Sequence, residues 1–170
     1  EDPDSVALGN PQGDVTVVEF FDYRCTYCKV VRPALVELLK ADGKVKLVYK
    51  EFPILGRDSV LASKAALAAR NQKKYEEFHD GLMRLRGPIN EQAVMTLASE
   101  LGLNLEKMKK DMEAPEIATA LKRNVELARA LNVNGTPAWV LGDRVVSGAL
   151  DPNTMKSMIE QSRKTAPNKS

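Results

Sequence analysis

The strongest constraint on this chain is its only pair of cysteines, Cys25 and Cys28, which follow an apolar stretch with strand character at residues 15–21. A strand that runs into this Cys-Thr-Tyr-Cys motif and then into a helix places Cys25 at the helix N-terminus. Backbone N–H groups and the positive end of the helix dipole favour a thiolate there. Cys28 lies within reach of a disulfide bond with Cys25. The pattern predicts a dithiol arranged to exchange electrons.

A structural disulfide or part of a zinc site would also account for two cysteines. A structural zinc site normally has four protein ligands, and the chain adds only one histidine, His79, to the two thiols. His79 stands in a polar helical stretch beside Glu77 and Asp80. We therefore expect His79 on the surface rather than at a metal, and redox chemistry is the preferred interpretation.

The composition limits the classes of partner. The chain has 170 residues, 44% of them hydrophobic, and a net charge of +2, which fits one domain and no dedicated nucleic-acid surface. No apolar stretch approaches the length of a membrane span. The acidic start at residues 1–4 lacks the basic residues and apolar run of a signal peptide. A cytosolic protein or a mature exported protein is therefore expected.

The predicted elements follow the order strand, helix, strand, long helical block, hairpin and helix. They lie at residues 15–21, 26–41, 44–50, 58–131, 138–147 and 151–163, after an irregular lead-in at 1–14 and before a frayed tail from Thr165. Without the block at 58–131 the order is β-α-β followed by β-β-α, with parallel pairing first and antiparallel pairing second. We interpret this block as an insertion over one end of the sheet.

Three blocks, at residues 19–29, 50–56 and 133–138, carry a resemblance to a known family. The first surrounds the CxxC motif, and the third contains Thr136-Pro137 before an apolar strand. Together they resemble the thioredoxin superfamily, and within it the DsbA-like thiol–disulfide oxidoreductases, most closely the copper-sensitivity suppressor branch. The resemblance covers nearly the whole chain. It implies an α/β thioredoxin fold in one domain, residues 1–170, with the helical insertion before the cis-proline strand and one thioredoxin-fold helix inside the insertion.

The resemblance also implies roles for the catalytic residues. Cys25 is the nucleophile, and Cys28 resolves the mixed disulfide that forms at Cys25. Glu19, six residues before Cys25, matches the buried acid that family members keep beneath the active site, where it would accept the proton of Cys28. A solvent-facing glutamate on an edge strand is the alternative for Glu19, and Lys50 is a possible partner for a buried one.

Four further residues are expected to bind the substrate. Thr136-Pro137 matches the cis-proline of the superfamily, which faces the CxxC motif, and Thr136 would present backbone groups to a substrate strand. An ordinary trans-proline is the alternative. Thr26 and Tyr27, between the cysteines, carry no charge near neutral pH and are expected to adjust the pKa of Cys25 and to contact the substrate.

The resemblance implies an enzyme that acts as an oxidase or isomerase on unfolded or misfolded proteins in the periplasm. It would use no cofactor beyond the redox-active disulfide Cys25–Cys28, and a membrane redox partner would reset it. The alternative function is a copper-tolerance protein that binds Cu(I) through the same two soft thiolates. Related isomerases form oligomers through an N-terminal extension, and only a short lead-in precedes the first strand, so a monomer is expected.

Overall fold

Residues 6–165 are described by a computed structural model, in which a five-stranded mixed sheet is covered by helices. The strands are β1 (Val6–Gly9), β2 (Val15–Phe21), β3 (Val45–Glu51), β4 (Ala138–Leu141) and β5 (Arg144–Ser147). The helices are α1 (Thr26–Asp42), α2 (Arg57–Arg70), α3 (Tyr75–Arg84), α4 (Glu91–Glu100), α5 (Leu105–Met112), α6 (Pro115–Ala130) and α7 (Pro152–Thr165).

The strand order in the sheet is β1-β3-β2-β4-β5. β2 and β3 are parallel, as a crossover through α1 requires, while β4 pairs antiparallel with both β2 and β5. This is the predicted β-α-β plus β-β-α arrangement, and the predicted α/β fold class is confirmed. The hairpin turns at Gly142, whose φ of 60° suits a glycine.

The prediction of an irregular lead-in at residues 1–14 was wrong in part. Val6–Gly9 forms β1, an edge strand that pairs antiparallel with β3. Val6 and Leu8 point towards the core, but the strand has only four residues and is followed by turn-forming residues, which hid its period-2 pattern. Residues 1–5 of the lead-in and residues 166–170 of the predicted frayed tail lie outside the described residues, whereas Thr165, the first residue of that tail, is the last residue of α7.

The sheet has an apolar layer on each face. Val17 and Phe21 of β2 belong to the larger core with residues of α1, α3 and α7, whereas Phe20 packs with Phe52 and with Ala128 of α6. Because side chains alternate along a strand, Glu19 shares the larger core's face with Val17 and Phe21. A carboxyl group is thus placed inside the core, directly under α1.

Helices α2–α6 occupy most of the predicted helical block between β3 and β4. Asn90 and Asn104 cap α4 and α5, each accepting a hydrogen bond from a backbone N–H three residues later. Pro115 lies in the first turn of α6. Across residues 6–165, no helix combines the length and apolar character needed to cross a bilayer.

Candidate active site

Cys25 caps the N-terminus of α1, as predicted. β2 ends at Phe21, the Cys25 N–H donates to the Asp22 carbonyl at 3.0 Å, and the helix begins at Thr26. The Cys25 side chain then accepts a hydrogen bond from the Cys28 N–H at 3.4 Å between N and Sγ. A thiolate at this position receives the free N–H groups of the first helical turn.

The pKa values of the two thiols are shifted in opposite directions. Hydrogen bonding with the Cys28 thiol, with the side chain of Thr136 and with backbone N–H groups lowers the pKa of Cys25 to about 6, against the effect of burial. The hydrogen bond to Cys25 and burial raise the pKa of Cys28 far above its usual value. Cys28 is fully buried, and Cys25 is 6% exposed. At neutral pH the pair therefore holds a thiolate at Cys25 and a thiol at Cys28.

Thr136 and Pro137 lie beside Cys25 although they are more than a hundred residues away in the sequence. The peptide bond between them is cis, and the Cys25 thiol donates to the Thr136 carbonyl at 3.2 Å. The Pro137 carbonyl accepts a hydrogen bond from the Gly148 N–H at 2.8 Å, which ties this loop to the end of the β4–β5 hairpin. The structure thus brings Thr136 and Pro137 to the cysteines, as expected.

Thr26 and Tyr27 form the outer rim of the site. Both are exposed in the first turn of α1, and 65% of Tyr27 is accessible. The backbone N–H of Tyr27 contributes to lowering the pKa of Cys25. Contact of these two residues with a substrate stays a prediction.

Glu19 is buried beneath the site, with 3% of the residue exposed, so the alternative of a solvent-facing glutamate was wrong. It lies between Tyr49 of β3 and Trp139 of β4 in the sheet. Burial raises the pKa of Glu19 to about 8, and the positive charge of Arg32 opposes this rise. The suggested partner Lys50 pairs with Phe20 in the β2–β3 ladder and therefore belongs to the opposite face. The role of Glu19 as proton acceptor stays a prediction.

A second buried carboxyl group, Glu51, was missed by sequence reasoning. Its oxygens accept hydrogen bonds from Tyr23 at 2.8 Å, Tyr75 at 2.7 Å and Ser63 at 2.6 Å. Burial raises its pKa to about 7 although the three donors oppose the rise. Tyr23 is two residues before Cys25, so this cluster supports the turn that carries Cys25.

The prediction that His79 lies on the surface was wrong. His79 is fully buried, its Nδ1 is 2.9 Å from the Tyr23 hydroxyl, and its ring stacks on Tyr49 with 4.3 Å between centroids. Burial holds the pKa of His79 well below its usual value. A signal was present in the sequence, because Tyr75, His79 and Met83 recur every four residues on the buried face of α3.

Asp22 holds the loop after β3 against the turn that precedes Cys25. Its carboxylate accepts hydrogen bonds from the N–H groups of Ile54 at 2.9 Å and Leu55 at 3.0 Å, from the Ser59 hydroxyl at 2.7 Å and from the Arg24 N–H at 2.7 Å. Asp22 is fully buried, and four donors satisfy its charge. The loop thus keeps Ile54 and Leu55, both about two-fifths exposed, at the active-site end of the molecule.

The site offers only two thiols to a metal. Among residues 6–165, no group of three or more histidine, cysteine, aspartate or glutamate side chains is arranged to hold a metal ion. The buried His79 is directed to Tyr23 rather than to the cysteines.

Several known proteins are similar to this chain. It is 27% identical over 161 residues to the Na(+)/H(+) antiporter NhaA 1 of Salinispora arenicola, covering 93% of this chain but 25% of the antiporter. The chain thus spans about a quarter of the length of the first curated relatives it matches. It is also 27% identical over 170 residues to the disulfide bond formation protein D of Bacillus subtilis, covering 92% of this chain and 76% of that protein.

Solved structures give the same fold. A thioredoxin-like oxidoreductase from Silicibacter pomeroyi DSS-3 is 47% identical, with a TM-score of 0.94 over 97% of this chain and 95% of that chain. The catalytic domain of Proteus mirabilis ScsC is 26% identical, with a TM-score of 0.88 over 97% and 92%. The family described as a DSBA-like thioredoxin domain matches residues 16–160. Because this match covers most of the chain, the chain belongs to the DsbA-like thioredoxin family.

Proposed function

We propose that this chain is a thiol–disulfide oxidoreductase that oxidises or isomerises cysteine pairs in other proteins. The observation that carries the proposal is the placement of Cys25 as the N-cap of α1, with a pKa lowered to about 6 and the Thr136 carbonyl 3.2 Å from its sulfur. A low-pKa thiolate at a helix N-terminus is the arrangement that thiol–disulfide exchange requires.

In the oxidising direction the enzyme begins with a Cys25–Cys28 disulfide. A substrate thiolate attacks Cys25 Sγ, a mixed disulfide forms, and Cys28 leaves with the electron pair and takes up a proton. A second substrate thiolate then attacks the substrate sulfur of the mixed disulfide, and Cys25 leaves as a thiolate. The substrate loses two electrons, and the enzyme gains them. For an isomerase, a substrate thiol displaces Cys25 without net oxidation.

The acid strengths of the thiols favour oxidation of the substrate. Each pH unit by which the pKa of Cys25 is lowered stabilises the reduced enzyme by about 1.4 kcal/mol. A stabilised reduced form makes the disulfide a stronger oxidant. The high pKa of Cys28 means that this residue takes up a proton whenever it leaves as a thiolate. Glu19, buried beneath the pair, is proposed as the group that supplies this proton and accepts it in reverse.

The exposed groups around Cys25 support an extended protein segment as substrate. Thr136 would offer its backbone, and Thr26 and Tyr27 would contact the segment from the rim of α1. Unfolded or misfolded proteins expose such segments. We further propose the periplasm as location and a membrane redox partner that resets the disulfide, on the resemblance to DsbA-like enzymes. We also propose that the protein is a monomer and that residues 1–170 form one domain.

The test is the reduction potential of the Cys25–Cys28 pair, measured by equilibration against glutathione, together with oxidation of a reduced, unfolded substrate protein. A potential near about −120 to −180 mV is expected for an oxidase or isomerase. Cys25→Ser should abolish turnover, whereas Ser99→Ala, a change at an exposed helix position, should not. A potential near about −270 mV or below would contradict an oxidising role.

Cu(I) binding is a second candidate function for the same site. It rests on two adjacent thiols, one of them with a pKa low enough to be a thiolate ligand at neutral pH. Copper stoichiometry and affinity of the reduced protein, compared with Cys25→Ser and Cys28→Ser, test it. One tightly bound Cu(I) that is lost in both variants is the expected result for a copper-binding protein.

A further inference from the structure

A charged cluster lies one helical turn below the cysteines. Arg32 follows Cys28 by four residues and therefore lies on the same face of α1. Its guanidinium donates to the Tyr49 hydroxyl of β3 and forms a salt bridge with Asp80 of α3. Only 11% of the Arg32 side chain is exposed. Burying a cation this deeply costs free energy unless an anion pairs with it.

The cluster continues to Glu19 through the sheet. Tyr49 is the neighbour of Glu19 in the β2–β3 ladder, so the ring that receives Arg32 lies beside the buried carboxyl group. The charge of Arg32 lowers the pKa of Glu19, whereas burial raises it. Glu19 in turn interacts electrostatically with Cys28, whose pKa it raises. The position of Arg32 therefore allows its charge to control how readily Glu19 ionises beside the resolving thiol.

Among the described residues, Arg32 is the cation whose charge acts on Glu19. The titratable and charged groups around Glu19 and Arg32 in the core are Cys25 and Cys28 from α1, Tyr49 from β3, and His79 and Asp80 from α3. At the solvent end, the clefts that Arg32 lines are also lined by Lys29, Glu37, Lys40, Glu76 and Arg84. The residues of β4 and α7 in this part of the core are apolar or uncharged, namely Trp139, Met155, Met158 and Ile159. Burial keeps His79 neutral, and Lys50 belongs to the opposite face of the sheet.

Solvent reaches the outer end of the cluster. Arg32 and Asp80 line two clefts, one of about 490 Å³ between α1, α3 and the β1–β3 edge, and one of about 320 Å³ between α1 and α3. Tyr49 lies in the larger cleft. The side chain of Asp80 is 31% exposed. The charge of Arg32 is thus balanced at its solvent end by Asp80 while its stem lies in the core.

We propose that Arg32, held in place by Asp80, is a positioning residue that stabilises the carboxylate form of Glu19 and so enables the proton exchange between Glu19 and Cys28. The inference rests on the proposed oxidoreductase function. When Cys28 resolves a mixed disulfide, its S–H bond breaks and the proton passes to Glu19. The Cys28 sulfur then forms a bond to Cys25 Sγ, and the disulfide partner leaves as a thiolate. In the opposite direction, Glu19 returns the proton and becomes the buried anion that Arg32 stabilises.

The test uses the reduced protein and Ellman's reagent, a small disulfide that releases a coloured thiolate. Attack by Cys25 releases the first thiolate in a phase whose rate depends on reagent concentration. Attack by Cys28 on the resulting mixed disulfide releases the second in a concentration-independent phase, which Cys28→Ser removes. Stopped-flow absorbance from pH 5 to pH 10 gives the pH midpoint of each phase separately.

Arg32→Met is expected to leave the first phase within about twofold of the wild-type rate. Its second phase should have a midpoint about one pH unit higher and a roughly tenfold lower rate at pH 7, because a carboxyl group with a pKa one unit higher is ionised about ten times less. Arg32→Lys should restore most of the rate. Arg86→Met, at an exposed loop position, is the control and should change neither phase. Arg32→Gln, which keeps hydrogen-bond donors, replaces Arg32→Met if that variant does not unfold cooperatively in urea.

Comparing the Glu19→Gln variant with and without Arg32→Met tests whether Arg32 acts through Glu19. In that variant, adding Arg32→Met should cause no further change in the second phase. The inference would be overturned if the midpoint of the second phase did not move in Arg32→Met, or if it moved equally in the Glu19→Gln background. In either case an intact first phase would leave the proposed function standing. Loss of both phases in the wild-type protein would overturn both proposals.

Discussion

The hydroxyl of Tyr23 donates a hydrogen bond to Oε1 of Glu51 at 2.8 Å. The hydroxyl oxygen of Tyr23 also lies 2.9 Å from Nδ1 of His79. Because the single hydroxyl hydrogen is directed to Glu51, Nδ1 of His79 is the donor in the second contact. Nε2 of His79 then carries a lone pair that has no hydrogen-bond partner among the described residues. Tyr23 thus connects a buried acid and a buried neutral histidine two residues from Cys25.

Replacing Tyr23 with phenylalanine should destabilise the protein. The change leaves a donor on His79 unpaired and removes one of three hydrogen bonds to Glu51, and a buried polar group without a partner costs about 1–3 kcal/mol. Urea unfolding of the variant should show this loss in the free energy of unfolding. Tyr27→Phe is the matched control, because Tyr27 is 65% exposed and surface changes stay within about 0.5 kcal/mol. Equal stabilities for the two variants would contradict the argument.

The stability of the oxidised protein should fall as the pH rises from about 4.5 to 8. The folded-state pKa values of Glu51 and Glu19 are raised from 4.5 to about 7 and about 8, so both carboxyl groups hold protons in the folded state that the unfolded chain has released. Their contribution is fully present below pH 4.5 and is lost as the pH passes through the folded-state values. Each group accounts for about 1.4 kcal/mol per pH unit within its window.

Glu19→Gln separates the two carboxyl groups in this measurement. The amide does not titrate, so the decline in unfolding free energy should then end near pH 7, where Glu51 completes its titration. Oxidised protein is used because a disulfide removes the titration of both thiols. The disulfide also removes the charge of Cys25, which adds to the raised pKa of Glu19, so the Glu19 contribution should end somewhat below pH 8 in this form. Glu100→Gln, at an exposed helix end, should reproduce the wild-type curve. A wild-type curve that is flat between pH 5 and 8 would argue against the raised values.

The predictable parts of the molecule are those set by local pattern. The strand at residues 15–21 was predicted at its observed bounds, and α1 and β3 within one residue, because long apolar runs and clear breakers mark them. The positions of Cys25, Cys28 and Pro137 followed from motifs. The burial of Glu19 was expected from the resemblance to family members that keep a buried acid beneath the active site, with a solvent-facing glutamate as the alternative.

The parts that were missed depend on contacts between distant segments. Arg32 and His79 both look like surface residues in their helices, and their burial results from packing between α1, β3 and α3. Glu51 was not singled out because its hydrogen-bond donors Ser63 and Tyr75 come from the helical block. Periodicity shows which face of a helix is buried, but it does not show which polar groups meet there.

Replacing Asp22 with alanine should loosen the loop that follows β3. Four donors would lose their acceptor, among them the N–H groups of Ile54 and Leu55. Hydrogen exchange of these two amides should accelerate strongly, and the free energy of unfolding should fall by about 1–3 kcal/mol or more. Asp143→Ala, in the exposed turn of the hairpin, provides the comparison. Unchanged exchange at Ile54 and Leu55 would mean that the loop is held by other contacts.

The acidity of Cys25 should depend on Cys28 more than on any other side chain. The hydrogen bond with the Cys28 thiol is the largest cause of the lowered pKa, and the side chain of Thr136 acts in the same direction. Absorbance of the thiolate at 240 nm should give a midpoint near pH 6 in the reduced wild-type protein. Cys28→Ala should raise it by about one pH unit, since a hydrogen bond to a charged group contributes roughly 1.5 kcal/mol.

Thr136→Val tests the second contribution to the acidity of Cys25. The variant keeps the shape and the backbone carbonyl of Thr136 but removes its hydroxyl, so the Cys25 pKa should rise by less than in Cys28→Ala. A less stable thiolate makes the disulfide harder to reduce, and the reduction potential should therefore become more negative. Thr119→Val, at an exposed helix position, should change neither quantity. A wild-type midpoint near the ordinary cysteine value of about 8.5 would contradict the electrostatic account of the site.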